Sequence, residues 1–196
     1  MSGLLIILFN SIFVQNVVLT QFLGICSFLG VSTDQKSASG MGFAVIFVLI
    51  TAAIITWPIS TFVLKPLGLE FMRTVVFALV IAGVVQMVEA VIKKTSPSLY
   101  DSLGIYLPLI TTNCAILGVA LTNVDANYSF IEAIVNALGT GIGFWIAIVL
   151  FSIIRKNLKE APVPELFKGI PAALIAGAIM SLAFVGFSGV AEGLFS

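Results

Sequence analysis

The sequence predicts an all-α polytopic membrane protein, with six transmembrane helices arranged as two inverted three-helix repeats and breaks in the first and fourth helices. Three observations carry this reading. The composition is too apolar for water, six stretches have the length of a membrane span, and two short motifs recur in the same order in both halves.

Of 196 residues, 60% are hydrophobic and 9% are charged, with a mean hydropathy of +1.19. A soluble domain carries charge on about a quarter of its residues. Nine Lys plus Arg and nine Asp plus Glu leave too little polar surface, so lipid is the solvent for most of the exterior. A spanning helix needs ~20 mostly apolar residues to cross a hydrocarbon core ~30 Å thick. Stretches at 4–28, 40–64, 74–92, 99–121, 130–154 and 170–190 meet that length. Their continuous apolar character argues against the ten-residue alternation of a barrel. No Lys or Arg precedes the first run and no small-residue cleavage site follows it; it is expected to stay as the first helix. The net charge is zero, and no basic stretch points to nucleic acid. The absence of His removes haem on a proximal His and any His metal site.

With six spans, both termini and loops two and four share one side. That side carries Lys65 and Arg73. The other carries Lys36, Lys93, Lys94, Arg155, Lys156, Lys159 and Lys168, seven of the nine basic residues. Lys and Arg collect on the cytoplasmic side, so both termini are expected to be extracytoplasmic. Ser98-Leu99-Tyr100-Asp101, after Pro97, and Ser129-Phe130-Ile131-Glu132 have the pattern of capping boxes opening helices four and five. Glu132 is then a cap at a positive helix end. Residues 155–168, with Pro162 and Pro164, read as a cytoplasmic linker.

The repeat lies within a single membrane domain, 1–196, divided at about 1–95 and 96–196. Cys26-Ser27-Phe28-Leu29-Gly30-Val31 and Cys114-Ala115-Ile116-Leu117-Gly118-Val119 are both C-x-x-L-G-V. Gly40-Met41-Gly42-Phe43 and Gly141-Ile142-Gly143-Phe144 are both G-x-G-F. Three spans per unit make the second enter from the opposite side, the inverted plan whose pseudo-two-fold axis lies in the membrane plane. Gln15, Asn16, Thr20, Gln21 and Gly24 precede the first cysteine. Gly104, Pro108, Thr111, Thr112 and Asn113 precede the second. Such residues fit interrupted helices buried against protein.

Three readings of the cysteines stay open at this point: small buried hydrophobes, a disulfide, or thiolate ligands of a metal or iron–sulfur centre. A cluster takes four Cys, or two Cys with two His. On the third reading, with two Cys and no His, this chain could hold only half a set, and a second chain would have to complete it.

Leu107-Pro108-Leu109-Ile110-Thr111-Thr112-Asn113-Cys114-Ala115-Ile116-Leu117-Gly118-Val119 resembles the A subunits of Rnf electron-transport complexes. So do Phe22-Leu23-Gly24-Ile25-Cys26, Lys93-Lys94-Thr95-Ser96-Pro97 and Phe187-Ser188-Gly189. The resemblance runs over nearly the whole chain. It implies a multi-pass component of the bacterial cytoplasmic (inner) membrane, in a complex passing electrons between ferredoxin and NAD coupled to Na+ or H+ movement. It implies as partners a homologous E-type subunit of inverted orientation and the other Rnf subunits. It also implies one mid-membrane [2Fe-2S] cluster shared by the pair, with Cys26 and Cys114 as this chain's ligands. Thr112 and Asn113 are candidates for hydrogen bonds to the sulfurs. No S-G-A-T-like stretch is present, so covalent flavin is expected elsewhere in the complex.

A related alternative is the E-type component of the Na+-translocating NADH:quinone reductase. From another class comes a secondary transporter with inverted repeats, which calls for an intramembrane ionisable residue. Glu89 is the nearest match, but Lys93 four residues on reads it as one half of an interfacial pair.

Overall fold

The computed structural model describes residues 2–68, 70–95, 109–110, 112–160, 164 and 167–195. Every regular element among the described residues is helical. Helix α1, Ser2–Phe9, widens into a π-helical turn, Asn10–Val14. After an irregular segment at 15–24 come α2, Ile25–Val31, and α3, Gln35–Ile59. Then follow α4, Arg73–Thr95, α5, Cys114–Asp125, α6, Phe130–Glu160, and α7, Ile170–Phe195.

Local chemistry sets these boundaries. The Asp34 carboxylate accepts from the Ser37 N–H at 3.2 Å and the Ser37 hydroxyl at 3.1 Å. That N-cap starts α3 ahead of the expected residue 40, and the same bonds hold Asp34 below the usual carboxylate range. Pro58 lacks the N–H a helix interior needs, and α3 widens into a π turn at Ser60–Leu64 just beyond it. The expected cap of α6 forms: the N–H and hydroxyl of Ser129 each donate to Glu132 at 2.9 Å. Helix α6 then runs for 31 residues, past the expected end at 154. Its tail, Arg155-Lys156-Asn157-Leu158-Lys159-Glu160, consists mostly of strong helix formers and needs no lipid to stay wound.

Gln35–Leu64, Arg73–Ala90 and Phe130–Glu160 are long and apolar enough to cross a membrane. Gly3–Val14 and Cys114–Asp125 are shorter apolar helices. The 12 residues of α5 rise about 18 Å, little more than half a ~30 Å core. The chain is therefore interrupted at 15–24 and starts a helix afresh at Cys114, near both places where breaks are expected. The expected cap at Ser98–Asp101, and Gly104, Pro108 and Thr111 ahead of Cys114, lie outside the described residues.

Helix α6 is the central post, and its broadest contact is with α3. Phe144, Ala147, Ile148 and Phe151 along it are fully buried. The G-x-G-F motifs mark the close approaches. A Cβ on Gly42 would lie 2.2 Å from the Trp145 ring, and one on Gly143 would lie 2.9 Å from the Ile12 carbonyl. Small residues let backbones meet where lipid supplies no hydrophobic drive for helix association.

Each end of the helix assembly has its own fastening. At one end Arg73 pairs with Asp125 at 2.7 Å. The Trp57 indole N–H donates to the Tyr128 carbonyl at 2.9 Å, with Trp57 edge-on to Phe130. Loops two and four thus gather there, beside aromatic rings of the kind that sit at a membrane interface. At the other end Arg155 reaches the end of α2, which brings loops one and five together. Leu79, Met87 and Leu182 are more than two-thirds exposed, as lipid-facing positions on α4 and α7 would be.

Candidate functional site

The interruption before the first cysteine is built around Asn16, which is 1% exposed. Its Nδ2 donates to the carbonyls of Gly143 at 3.0 Å and Ile12 at 3.3 Å. Its Oδ1 accepts from the backbone N–H groups of Val18 at 3.2 Å and Leu19 at 3.3 Å. The Ser181 hydroxyl of α7 donates to the Leu19 carbonyl, and the Thr20 hydroxyl to the Asn16 carbonyl at 2.7 Å. The Asn16 side chain thereby does for the N–H groups of Val18 and Leu19 what helical carbonyls do elsewhere, and unwound backbone is tolerated within the bundle.

The turn into α2 uses left-handed backbone at Phe22, φ 57°, and Gly24, φ 81°. Gly24 is required twice over. Its φ suits glycine, and a Cβ there would lie 3.0 Å from Asn113 Oδ1 and 3.3 Å from the Ala115 Cβ. Helix α2 begins at Ile25, with Cys26 in its first turn. Helix α5 begins at Cys114 itself, N-capped by Asn113, whose Oδ1 accepts from the Ala115 N–H at 3.0 Å.

A hydrogen bond ties the two helix starts together. Asn113 Nδ2 donates to Ser27 Oγ at 3.3 Å, and Ser27 Oγ donates to the Gly24 carbonyl at 2.9 Å. Ser27 and Asn113 are both buried, and each is the neighbour of a cysteine. Cys26 and Cys114 are themselves exposed, free thiols. No group of three or more His, Cys, Asp and Glu that could hold a metal occurs among the described residues. The donor set is thus two soft sulfurs on adjoining helix starts, held by a buried amide–hydroxyl link and open on the outer side. Cysteine sulfurs suit an iron–sulfur centre, and two of them are half of its complement.

A family model described as "Rnf-Nqr subunit, membrane protein" matches residues 4–191. The chain belongs to the Rnf-Nqr family. Among its relatives, the A subunit of the Na+-translocating ferredoxin:NAD+ oxidoreductase complex of Acetobacterium woodii is 52% identical over 190 residues, covering 97% of this chain and 99% of that protein. The A subunit of an ion-translocating oxidoreductase complex from Syntrophotalea carbinolica is 49% identical over 193 residues, covering 98% of this chain and 100% of the relative. Its counterpart from Vibrio cholerae is 48% identical over 192 residues, with the same coverage.

In this Rnf-Nqr protein the structure brings Cys26, Cys114 and Asn113 to one locality and leaves Thr112 exposed beside them. The Asn113 amide is engaged by Ala115 and Ser27, and it ties the two helix starts together. Its role as a cap is legible in the sequence, because Asn directly before an apolar helical run is an N-cap pattern. Sequence reasoning misses Ser27 and Arg155. Ser27 carries no signal beyond adjacency to a cysteine, and Arg155 reads only as a loop charge.

The repeat also has a packing counterpart. A Cβ on Gly118 would lie 2.5 Å from Leu23, and one on Gly30 would lie 3.4 Å from Leu109. Each glycine of the C-x-x-L-G-V motif thus faces a leucine just upstream of the other cysteine.

Proposed function

We propose that this chain is the A-type membrane component of an Rnf-type ion-translocating ferredoxin:NAD oxidoreductase, and that Cys26 and Cys114 are half the ligand set of a shared [2Fe-2S] cluster. The observation that carries the reading is the Asn113–Ser27 bond joining the two cysteine-bearing helix starts. The relatives' names support the complex, and the two exposed thiols support the shared ligation.

Bound there, a cluster would accept and release single electrons between carriers on either side of the membrane. The chain's own residues do the rest. Asn16 and Gly24 hold the interruption that lets a helix begin inside the bundle. Asn113 and Ser27 keep the sulfurs in register. Cys114 stands about 17 Å along α5 from Asp125, at the end where Arg73 and Asp125 pair, and that is close to the middle of a ~30 Å core. The reciprocal packing of Gly30 and Gly118 supports the inverted repeat. The partner is then a homologous chain of opposite orientation that brings the other two thiolates.

The test is expression with and without the other components of the complex. The complete complex should show a [2Fe-2S] signal attributable to this pair and a matching iron content. The chain expressed alone should show neither. An iron-replete, well-folded single chain would overturn shared ligation.

The seven-to-two split of basic residues supports a topology with both termini outside the bacterial inner membrane and the 155–168 connection in the cytoplasm. Reporter fusions at the C-terminus and within that connection check this. A C-terminal fusion active only in the cytoplasm would reverse the orientation.

A further inference from the structure

We propose that Arg155 is a positioning residue for Cys26, clamping the far end of the cysteine-bearing helix and holding a positive charge close to it. The proposal rests on the reading of Cys26 and Cys114 as cluster ligands. Helix α2 has seven residues, far fewer than the ~12–15 that give even marginal helicity alone. Its geometry is therefore imposed from outside. At its start stand Gly24 and the Asn113–Ser27 bond. In its middle, Phe28 stacks on Phe151 of α6, with ring centroids 4.2 Å apart and planes 21° from parallel. At its end, one nitrogen of Arg155, Nη1, donates to the Leu29 carbonyl and to Ser32 Oγ, the latter at 2.9 Å. The two hydrogens of that nitrogen match the two acceptors.

Phe151 and Arg155 are four residues apart on α6, hence on one face, one turn from each other. They meet α2 as a stacked ring and a charged fork. Ser32 is fully buried, so the guanidinium satisfies an acceptor that water does not reach. The last carbonyls of a helix need outside donors. Loss of a hydrogen bond from a charged donor typically costs enough to change a local opening equilibrium about tenfold. A fixed cation held at Leu29 and Ser32, three and six residues beyond Cys26, also favours the more negative, reduced form of a cluster ligated there.

The experiment compares the wild-type complex with complexes carrying Arg155→Gln, Arg155→Lys or Ser32→Ala. Two readouts are taken: the midpoint potential of the [2Fe-2S] signal in the intact complex, and, in the complex after a chelator has removed its iron, the maleimide modification rates of Cys26 and Cys114 followed by mass spectrometry. Arg155→Gln should lower the potential and speed modification of Cys26 at least about fivefold, with Cys114 little changed. Arg155→Lys should restore the potential toward wild type. Ser32→Ala, which keeps the charge, should loosen Cys26 without lowering the potential, and it serves as the second variant where Arg155→Gln fails to assemble. An unchanged potential with an unchanged Cys26-to-Cys114 rate ratio in these variants overturns the proposal, as does equal acceleration of both cysteines. If the wild-type complex shows no cluster signal, the ligand reading fails by itself. The rate ratio then still decides whether Arg155 positions Cys26.

Discussion

Replacing either Cys26 or Cys114 with serine is expected to abolish the [2Fe-2S] signal and electron flow through the complex while leaving the chain inserted and assembled. A hydroxyl is a hard, weakly acidic donor and does not replace a soft thiolate on iron. Both cysteines are exposed on the chain, so the near-isosteric swap removes no core packing. Substitutions at exposed sites usually change stability by less than about 0.5 kcal/mol. The two variants should be damaged to similar extents, because each cysteine stands in the first turn of its helix beside the same Asn113–Ser27 link. Electron paramagnetic resonance of the reduced complex, an iron count and ferredoxin-dependent NAD reduction provide the measurements. Full signal and normal flux in either variant would make that cysteine structural and end the relay reading for this chain.

The second large effect is structural and does not depend on any cofactor. Asn16→Leu should cost the solubilised complex roughly 10 °C of thermal stability, or prevent its assembly. The substitution leaves the N–H groups of Val18 and Leu19 without their partner and removes the bond to the Gly143 carbonyl. Each buried group so stranded costs about 1–3 kcal/mol, and 1 kcal/mol corresponds to about 2–4 °C in a chain of this size. Leucine is also branched where asparagine is flat, close to Gly143, whose own Cβ would already crowd the Asn16 amide. Thermal unfolding followed in detergent or nanodiscs measures it. A melting temperature within about 2 °C of wild type would show that residues 15–24 are held by something other than this side chain.

How much of this is written in the sequence differs from residue to residue. The apolar runs reveal the helices because their length is set by the bilayer, which acts on composition alone. The Ser129–Glu132 cap is legible because both partners lie within one turn. The interruption before Cys26 is signalled by Gln15, Asn16, Thr20, Gln21 and Gly24 as a group. Nothing in the order of these residues singles out Asn16, since its partners include a carbonyl 127 positions away. The pairing of Ser27 with Asn113 spans 86 positions and is hidden for the same reason. Arg155 is hidden for a different one. A count of basic residues treats charges beyond the apolar run as loop charges, whereas α6 keeps its winding past the apolar stretch and turns that arginine back onto α2. The repeat motifs mark glycines, but only packing shows that Gly42 makes room for Trp145 and Gly118 for Leu23.

The uninterrupted course of α6 has one further consequence. Gly143 meets the first helix at Ile12, Phe151 meets Phe28, and Arg155 meets Leu29 and Ser32, all on a single stiff rod. The spacing between those contacts is fixed by residue count at 1.5 Å and about 100° per step. A single residue inserted between Gly143 and Phe151 would shift the clamp by one step and swing both side chains about a quarter-turn away from α2. No side-chain exchange elsewhere restores that register. Helix α6 therefore works as a ruler, and the placement of α2 in the bundle is written in the number of residues along a different helix.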